Sequence, residues 1–170
     1  MTEGEGRAEH VKKILFVCTA NICRSPMAEA MFNVLAEEKG LDYQAESAGV
    51  AALIDEDMAP NARAVLEEVG IYAEGHRARQ VSEEMLKEAD LVLTMGPRHS
   101  ATIRKRFGDL PGRVYTLPEY ATGISGEEGI PDPYGNTMTA YRASGRQLLG
   151  CVEGLMERLE REESFGGSFR

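Results

Sequence analysis

Residues 13–30 of the chain read KILFVCTANICRSPMAEA, and this stretch decides the fold. The apolar run over residues 13–17 is rich in strand-forming residues, which predicts a buried parallel strand. A short polar loop follows over residues 18–24. A helix is predicted to begin at Ser25, because a capping hydroxyl followed by Pro26 at the first helical position is typical of a helix N-terminus. The stretch therefore predicts a strand, a tight loop and a helix.

The same alternation of strand and helix continues along the chain. Strands that alternate with helices imply a parallel sheet joined by right-handed crossovers. We therefore predict an α/β fold, a three-layer doubly wound sandwich of the Rossmann-like or flavodoxin-like kind, with a mostly parallel four-stranded sheet and helices on both faces. Further strands are predicted over residues 43–47, 91–95 and 114–117, helices over 61–69, from 82, over 97–107 and over 137–161, and a loop over 119–133.

The length and composition are those of one ordinary globular domain. The chain has 170 residues, and a single domain usually has about 100–200. We expect a disordered leader over residues 1–11, one domain over residues 12–162 and a flexible tail over residues 163–170. Asp and Glu number 28 against 19 Lys and Arg, which gives a net charge of −9. This charge argues against nucleic acid or an anionic membrane as a partner, because their phosphates repel an acidic domain.

The cysteine content and the N-terminus bear on the compartment. Three cysteines, Cys18, Cys23 and Cys151, cannot form a fully paired disulfide framework, and so few of them fit a reducing compartment. Residues 1–10 lack the basic and apolar regions of a signal peptide. No apolar run approaches the ~18–20 residues that span a bilayer. We expect a cytoplasmic monomer that does not associate with membranes.

The loop after the first strand carries the candidate chemistry. In parallel α/β sheets the ligand site lies at the carboxyl ends of the strands, where Cys18 is placed. The loop amides and the N-terminus of the next helix converge there and form a cradle for an anion. Arg24 adds a planar two-pronged donor that suits a phosphate. The same field is expected to lower the pKa of the Cys18 thiol to roughly 3.5–7.5, which would make it a nucleophile at neutral pH.

At these residues the chain resembles the low-molecular-weight protein tyrosine phosphatases, whose loop has the pattern C-x-G-N-x-C-R-S-P directly after an apolar strand. Residues 16–30, FVCTANICRSPMAEA, match this pattern closely. The resemblance covers residues 12–160 in order, so it does not depend on one motif alone. Other matching stretches are ESAG at residues 46–49, HRARQ at 76–80, ADLVLTM at 89–95 and DPY at 132–134.

The resemblance implies a role for each catalytic residue. Cys18 attacks phosphorus and forms a cysteinyl-phosphate, while Arg24 binds the equatorial oxygens. Asp132 protonates the leaving group and then activates water. Considered without this resemblance, Asp132 in the run D-P-Y-G is typical of a residue in a turn. Ser25 stabilises the thiolate when it leaves. No metal or cofactor is implied.

The resemblance also implies how phosphate is bound and how the loop is supported. Asn21 holds the shape of the loop through hydrogen bonds to Ser25, Ser47 and His76. Cys23, in the same loop, either packs as a small apolar residue or forms a reversible disulfide with Cys18 under oxidation. The phosphate-binding residues implied are Thr19, Ala20, Asn21, Ile22, Cys23, Arg24 and Ser25.

The sequence departs from the family pattern at Ala20, where the family usually has glycine. Alanine strains the loop if that position requires a positive φ or a close backbone approach. We expect the anion cradle to persist despite this substitution.

Substrate choice divides the family, whose other branch removes phosphate from arginine. Ile22 resembles the tyrosine-specific branch, because that position is threonine in the arginine branch and an apolar side chain suits an aromatic leaving group. Leu53 stands where tyrosine phosphatases often have an aromatic wall, and Gly135 follows Tyr134 where a second aromatic is usual. Residues 117–123 also look like the arginine branch. A phosphorylated protein is the expected substrate, with phosphotyrosine preferred and phosphoarginine as the alternative.

Two further functions share the fold and the loop. Arsenate reductases need more cysteines to relay a disulfide, but residues 80–110 contain none, and Cys151 is predicted to pack in the last helix. A phosphate reader without turnover would need Arg24 but has no use for the acid at Asp132. Both functions therefore rank below a phosphatase.

Overall fold

The computed structural model describes residues 12–109, 113–124 and 128–164. The predicted leader and residues 165–170 of the predicted tail lie outside the described residues. Within those ranges the chain alternates between strands and helices as its sequence predicts. The strands are β1 (Lys13–Cys18), β2 (Gln44–Gly49), β3 (Leu91–Thr94) and β4 (Val114–Thr116), and the helices are α1 (Arg24–Glu38), α2 (Pro60–Glu68), α3 (Glu83–Glu88), α4 (Pro97–Phe107), α5 (Leu117–Thr122) and α6 (Met138–Ser164).

The four strands form one sheet in the order β2-β1-β3-β4. Every neighbouring pair is parallel, so the sheet is wholly parallel among the described residues, where the sequence predicted a mostly parallel one. The register places Cys18, at the end of β1, opposite Gly49, at the end of β2. The predicted α/β sandwich is confirmed, and the carboxyl edge of its sheet carries Cys18.

Side chains of β1 alternate between two hydrophobic layers, as the pleat of a strand requires. Ile14 and Phe16 belong to a large cluster that includes apolar residues of α1, α2 and α6. Leu15 and Val17 belong to a second, smaller cluster with residues of α3 and α4. All four side chains are almost fully buried. Both faces of the sheet are therefore covered, which keeps β1 central and fixes the position of the loop that follows it.

The start of α1 differs from the prediction. The residue at the N-cap position is Cys23, no side chain in the described part of the chain caps the helix, and Ser25 lies inside the first turn. The prediction that Ser25 caps α1 is therefore wrong. Its hydroxyl lies instead against Cys18 and Asn21, because the loop folds back over the first turn of α1.

The predicted loop over residues 119–133 is partly wrong, because α5 extends to Thr122. The Thr116 hydroxyl accepts a hydrogen bond from the Glu119 amide and caps this helix, and Gly123, at φ +78°, ends it. A helix of six residues is too short to show a hydrophobic period. The last helix continues to Ser164, beyond the predicted end at 161 and into the first residues of the predicted tail. No helix in the described part of the chain is long and apolar enough to cross a membrane.

Candidate active site

The loop over residues 18–25, called the anion loop below, is held from outside by its carbonyl groups. Each of the first five carbonyls accepts a hydrogen bond from the segments that surround the loop. Four donors are backbone amides and the fifth is an imidazole. The bonds run to Cys18 from Val50 N (3.0 Å), to Thr19 from Ala51 N (2.9 Å), to Ala20 from Leu53 N (3.1 Å), to Asn21 from His76 Nε2 (2.7 Å) and to Ile22 from Ala59 N (2.9 Å).

This outward anchoring determines where the amides of the loop point. A trans peptide directs its N–H away from its C=O, and the described residues contain no cis peptide bond. Because the carbonyls of residues 18–22 point outward, the N–H groups of residues 19–23 point toward the interior of the loop. The N-terminus of α1 begins at Arg24 beside them. Convergent N–H groups and a helix N-terminus make a concave site for an anion.

Cys18 lies at the base of this site. Its side chain is 2% exposed. Its sulfur lies 2.9 Å from the hydroxyl oxygen of Ser25. The Ser25 oxygen accepts a hydrogen bond from Asn21 Nδ2 (2.8 Å), which leaves the Ser25 proton free to be donated. A thiolate at Cys18 would accept a hydrogen bond from the Ser25 hydroxyl. The other acceptor within reach, the Ala48 carbonyl, lies farther from the Ser25 oxygen, at 3.4 Å.

Asn21 is the fully buried centre of the loop's internal hydrogen bonds. Its amide donates to the hydroxyls of Ser25 and Ser47, at 2.8 and 3.0 Å, and its Oδ1 accepts from the Arg79 amide at 2.9 Å. His76 Nε2 donates to its carbonyl, which fixes the tautomer of that imidazole. These bonds include the contacts to Ser25, Ser47 and His76 that the family resemblance implied.

The left-handed residue of the anion loop is Asn21, at φ +64°. Asparagine adopts this region more readily than most residues. Ala20 has no positive φ. The strain expected from alanine in place of glycine therefore does not arise from the backbone conformation at that position.

A half-buried carboxyl group, that of Glu29, supports the loop from behind. The Ser47 hydroxyl accepts from Asn21 and donates to Glu29 Oε1 at 2.6 Å. Burial raises the pKa of Glu29, and the hydrogen bond from Ser47 offsets part of that effect. The donors therefore run from Asn21 in two directions, through Ser47 to Glu29 and through Ser25 to Cys18.

Arg24 connects the anion loop to the segment that carries Asp132. Arg24 is 7% exposed, and its Nη1 donates to the Ile130 carbonyl at 3.1 Å. Its Nη2 lies 3.5 Å from Asp132 Oδ2. Its Nε is buried and has no partner among the described residues. A buried N–H without a partner costs free energy, which an oxygen of a bound anion would recover.

The Asp132 side chain is half exposed at the mouth of the site. The segment before it is anchored to the end of β3, where the Ile130 amide donates to the Met95 carbonyl at 2.7 Å. The Tyr134 amide donates to Asp132 Oδ1 at 3.1 Å, which is the turn contact expected for D-P-Y-G. The carboxyl group is thus held beside Arg24 and still open to solvent.

A close backbone approach makes one glycine necessary. A Cβ on Gly49 would lie 2.4 Å from the Thr19 carbonyl oxygen, a distance that real Cβ atoms do not show. Only glycine therefore allows the end of β2 to approach the anion loop this closely. The sequence places Gly49 in a stretch that matches the family, but no local pattern predicts this contact.

The proposed wall and filter residues differ in exposure. Leu53 and Tyr134 are 43% and 60% exposed, as side chains at the rim of a site can be. Ile22 is only 6% exposed and belongs to the large hydrophobic cluster. Ile22 therefore offers little surface to a substrate, although its carbonyl and amide belong to the anion loop.

The remaining cysteines are in different environments. Burial raises the pKa of the Cys23 thiol to about 11, although a contact of 3.5 Å with the Tyr141 hydroxyl partly offsets this effect. Cys23 is therefore a protonated thiol at neutral pH, and its oxidation with Cys18 stays a prediction. Cys151 lies in α6 and packs against the large cluster.

Sequence reasoning missed several residues that hold the site in place. Arg79, His99 and Tyr141 contact the anion loop only because the fold brings distant segments together. Glu29 supports the loop indirectly, through Ser47. Glu29 was visible only as an acidic residue near the start of a helix, and no local signal points to His99. Within the described ranges, no group of three or more His, Cys, Asp or Glu side chains is arranged to hold a metal ion.

Fold and site define a phosphatase with a cysteine and an arginine in an anion loop, and the comparisons with known proteins agree. The chain matches the family model described as low molecular weight phosphotyrosine protein phosphatase over residues 13–165. The chain belongs to this family and is a phosphatase, a hydrolase. The resemblance seen in the sequence is thereby confirmed.

Relatives of both substrate branches are similar to this chain. A protein-arginine-phosphatase of Bacillus subtilis (strain 168) is 39% identical over 149 residues, which cover 88% of this chain and 97% of the relative. The low molecular weight protein-tyrosine-phosphatase Wzb of Escherichia coli (strain K12) is 34% identical over 149 residues, 88% of this chain and 90% of the relative. A solved structure of the arginine phosphatase YwlE, a mutant with a phosphorylated active-site serine, has a TM-score of 0.84 at 38% identity and covers 89% of this chain and 98% of that one.

Proposed function

We propose that this protein removes phosphate from tyrosine in phosphorylated proteins through a cysteinyl-phosphate on Cys18. The observation that carries the proposal is the outward anchoring of five successive carbonyls around Cys18. This anchoring leaves the N–H groups of residues 19–23 and the buried guanidinium of Arg24 to bind a phosphoryl group directly above the sulfur.

In the first step the Cys18 thiolate attacks phosphorus, and the bond from phosphorus to the phenolic oxygen breaks. Asp132, as a carboxylic acid, gives its proton to that oxygen. Its position supports this role, because the carboxyl group lies at the open mouth of the site, 3.5 Å from the guanidinium that binds the phosphoryl oxygens.

In the second step the Asp132 carboxylate takes a proton from water, and the water oxygen attacks phosphorus. The S–P bond breaks and returns the electron pair to Cys18. The Ser25 hydroxyl, 2.9 Å from that sulfur, donates its hydrogen bond to the departing thiolate. The solved relative with a phosphorylated serine in its active site supports phosphoryl transfer to a side chain at such a site.

Phosphoarginine is the second candidate substrate, and specific observations favour it. Relatives named as arginine phosphatases are similar to nearly the full length of this chain. Leu53, at the rim, is not aromatic, and Gly135 follows Tyr134. We rank phosphotyrosine first because Ile22 stands where the arginine branch has threonine. Its side chain is almost fully buried, so any effect on substrate choice acts through the shape of the anion loop and not through a broad contact with the substrate.

The experiment compares kcat/KM on one peptide carrying either phosphotyrosine or phosphoarginine, for the wild type and Ile22→Thr. We expect the wild type to favour phosphotyrosine and Ile22→Thr to shift the ratio toward phosphoarginine. Ile71→Thr is the matched control, because Ile71 is also buried, at 8% exposure, and lies outside the anion loop. A wild type that favours phosphoarginine would establish the alternative. An unchanged ratio in Ile22→Thr would remove that residue from the account of specificity.

A further inference from the structure

His99 contacts the anion loop from α4, the helix that follows β3. It lies in the first turn of α4, and its side chain is 6% exposed. Its Nε2 lies 3.0 Å from the Thr19 hydroxyl, and Thr19 directly follows Cys18. A buried histidine from another element therefore binds the residue next to the sulfur.

The imidazole of His99 is uncharged at neutral pH. Burial lowers the pKa of His99 to about 4, and the neighbouring guanidinium of Arg24 acts in the same direction. In either neutral tautomer Nε2 can pair with the Thr19 hydroxyl, because a hydroxyl both donates and accepts. The other nitrogen, Nδ1, is buried beside the backbone of Gly96, which opposes part of the lowering of the pKa.

The contact anchors the first peptide of the anion loop from a second direction. The Thr19 carbonyl already accepts a hydrogen bond from the Ala51 amide on the β2 side. The hydroxyl of the same residue is held by His99 on the β3 side. The peptide that joins Thr19 to Ala20 carries one of the N–H groups that face the phosphoryl site. Two anchors on Thr19 limit the rotation of that peptide.

His99 also stands beside the segment that leads to Asp132. A Cβ on Gly96 would lie 3.8 Å from His99 Nδ1 and 3.7 Å from the Cα of Gly129. The backbone of Gly96 therefore lies between the imidazole and that segment. Arg24 and Asp132 both act on His99 electrostatically, which places the ring within the field of the site.

We propose that His99 is a positioning residue of the phosphatase, which acts through Thr19 to hold the first amides of the anion loop in the orientation that binds the phosphoryl oxygens. The inference rests on the proposed function, because it assumes that these amides bind phosphate above Cys18. His99 itself does not touch the reacting atoms. Its effect is on how well the loop is organised before the substrate arrives.

The test uses the full chain with four changes: Thr19→Val, His99→Leu, the two together, and His99→Gln, whose amide can still reach the hydroxyl. We expect Thr19→Val and His99→Leu each to lower kcat/KM for an aryl phosphate about ten- to a hundred-fold. The double variant should be no slower than the slower single variant, because both remove the same contact. His99→Gln should recover most of the rate.

A second measurement separates positioning from folding. Inorganic phosphate should raise the Tm of the wild type and of His99→Gln. It should raise the Tm of Thr19→Val and His99→Leu by a much smaller amount. Thr122→Val is the matched control, because its hydroxyl donates to the Pro118 carbonyl within α5, and it should keep both the rate and the phosphate effect.

The outcomes are distinct. A folded Thr19→Val with wild-type kcat/KM overturns the proposal, as does a His99→Leu variant that loses rate and Tm but keeps the full phosphate effect. Independent losses that multiply in the double variant also overturn it. The phosphate shift measured in a Cys18→Ala background tests His99 without turnover. Turnover that survives Cys18→Ala would instead refute the proposed function.

Discussion

The hydroxyl oxygen of Ser25 lies 2.9 Å from the sulfur of Cys18, although the two residues are seven positions apart. The contact exists because the anion loop closes on the first turn of α1. Asn21 donates to the same oxygen, so the Ser25 proton is directed to the sulfur or, at a longer distance, to the Ala48 carbonyl. The sulfur that we propose to attack phosphorus and later to leave it is thereby given a fixed hydrogen-bond donor.

Removing this donor should slow the step in which the thiolate leaves. A hydrogen bond to a charged group contributes about 1.5–3 kcal/mol, so Ser25→Ala should slow phosphoenzyme hydrolysis roughly ten- to a hundred-fold. Rapid-mixing kinetics with an aryl phosphate would show this as a burst of phenol followed by a slower steady state. Ser82→Ala, which removes the cap of α3, is the control and should leave both phases unchanged. Equal effects of the two substitutions would contradict the role of Ser25.

Asp132→Asn should reveal the acid through its dependence on the leaving group. Asparagine keeps an oxygen for the Tyr134 amide but cannot supply an acidic proton. Loss of a general acid costs roughly a hundred- to ten-thousand-fold in rate. We expect a loss of that size with phenyl phosphate and a much smaller loss with nitrophenyl phosphate, whose leaving group needs no proton. Comparable losses with both substrates would show that Asp132 acts in some other way.

Gly49→Ala should disable the anion loop without touching any catalytic side chain. The added Cβ would lie 2.4 Å from the Thr19 carbonyl, so the end of β2 or the loop must move. Such overpacking costs about 1–3 kcal/mol of stability, and the displaced amides should lower kcat/KM by a larger factor than the loss of folded protein explains. Gly150→Ala is the control, because a Cβ at this position in the middle of α6 meets no atom of the described residues within 4 Å. It should raise stability by about 0.5–1 kcal/mol and leave the rate unchanged. Wild-type kinetics in Gly49→Ala would contradict the geometry.

Glu29 should make stability depend on pH in a stated direction. Burial raises the pKa of its carboxyl in the folded chain above the ordinary value of 4.5, so the folded state binds more protons than the unfolded state in the interval between the two values. Stability therefore falls as pH rises through this interval. Glu29→Gln keeps an acceptor for Ser47 and carries no charge, so it should gain stability over the wild type at neutral pH and lose that advantage below pH 4.5.

Glu29→Ala is the comparison for this prediction. It leaves the Ser47 hydroxyl without its acceptor and should be less stable than Glu29→Gln at every pH, by about 1 kcal/mol. Urea unfolding across the pH range measures both effects. A stability difference between Glu29→Gln and the wild type that does not change with pH would contradict the assignment of the charge.

The sequence predicted those parts of the molecule that depend on local pattern. The apolar run before Cys18 predicted β1, and the alternation that follows predicted a parallel sheet with its site at the carboxyl edge. Helix α5 was not predicted, because a helix of six residues is too short to show a hydrophobic period. Ser25 was predicted as a cap, because a serine before a proline is typical of one and the pattern cannot show a competing partner folded back from Cys18.

The remaining site contacts depend on the tertiary fold. Gly49 meets the Thr19 carbonyl, and His99 meets the Thr19 hydroxyl across 80 residues of sequence. Neither contact can be predicted from the sequence pattern around the residues that make it. The family resemblance implied the support of Asn21 by Ser47 and His76, but it did not imply Glu29 behind Ser47. Through-space partners of this kind follow only from coordinates.

The most direct test of the central claim is to stop the enzyme with acid during turnover of an aryl phosphate and to locate the phosphoryl group by mass spectrometry. We predict one phosphoryl group on Cys18 in the wild type, more of it in Ser25→Ala, and none in Cys18→Ala, which should also release no phenol. A phosphoryl group on another residue, or steady turnover by Cys18→Ala, would contradict the account.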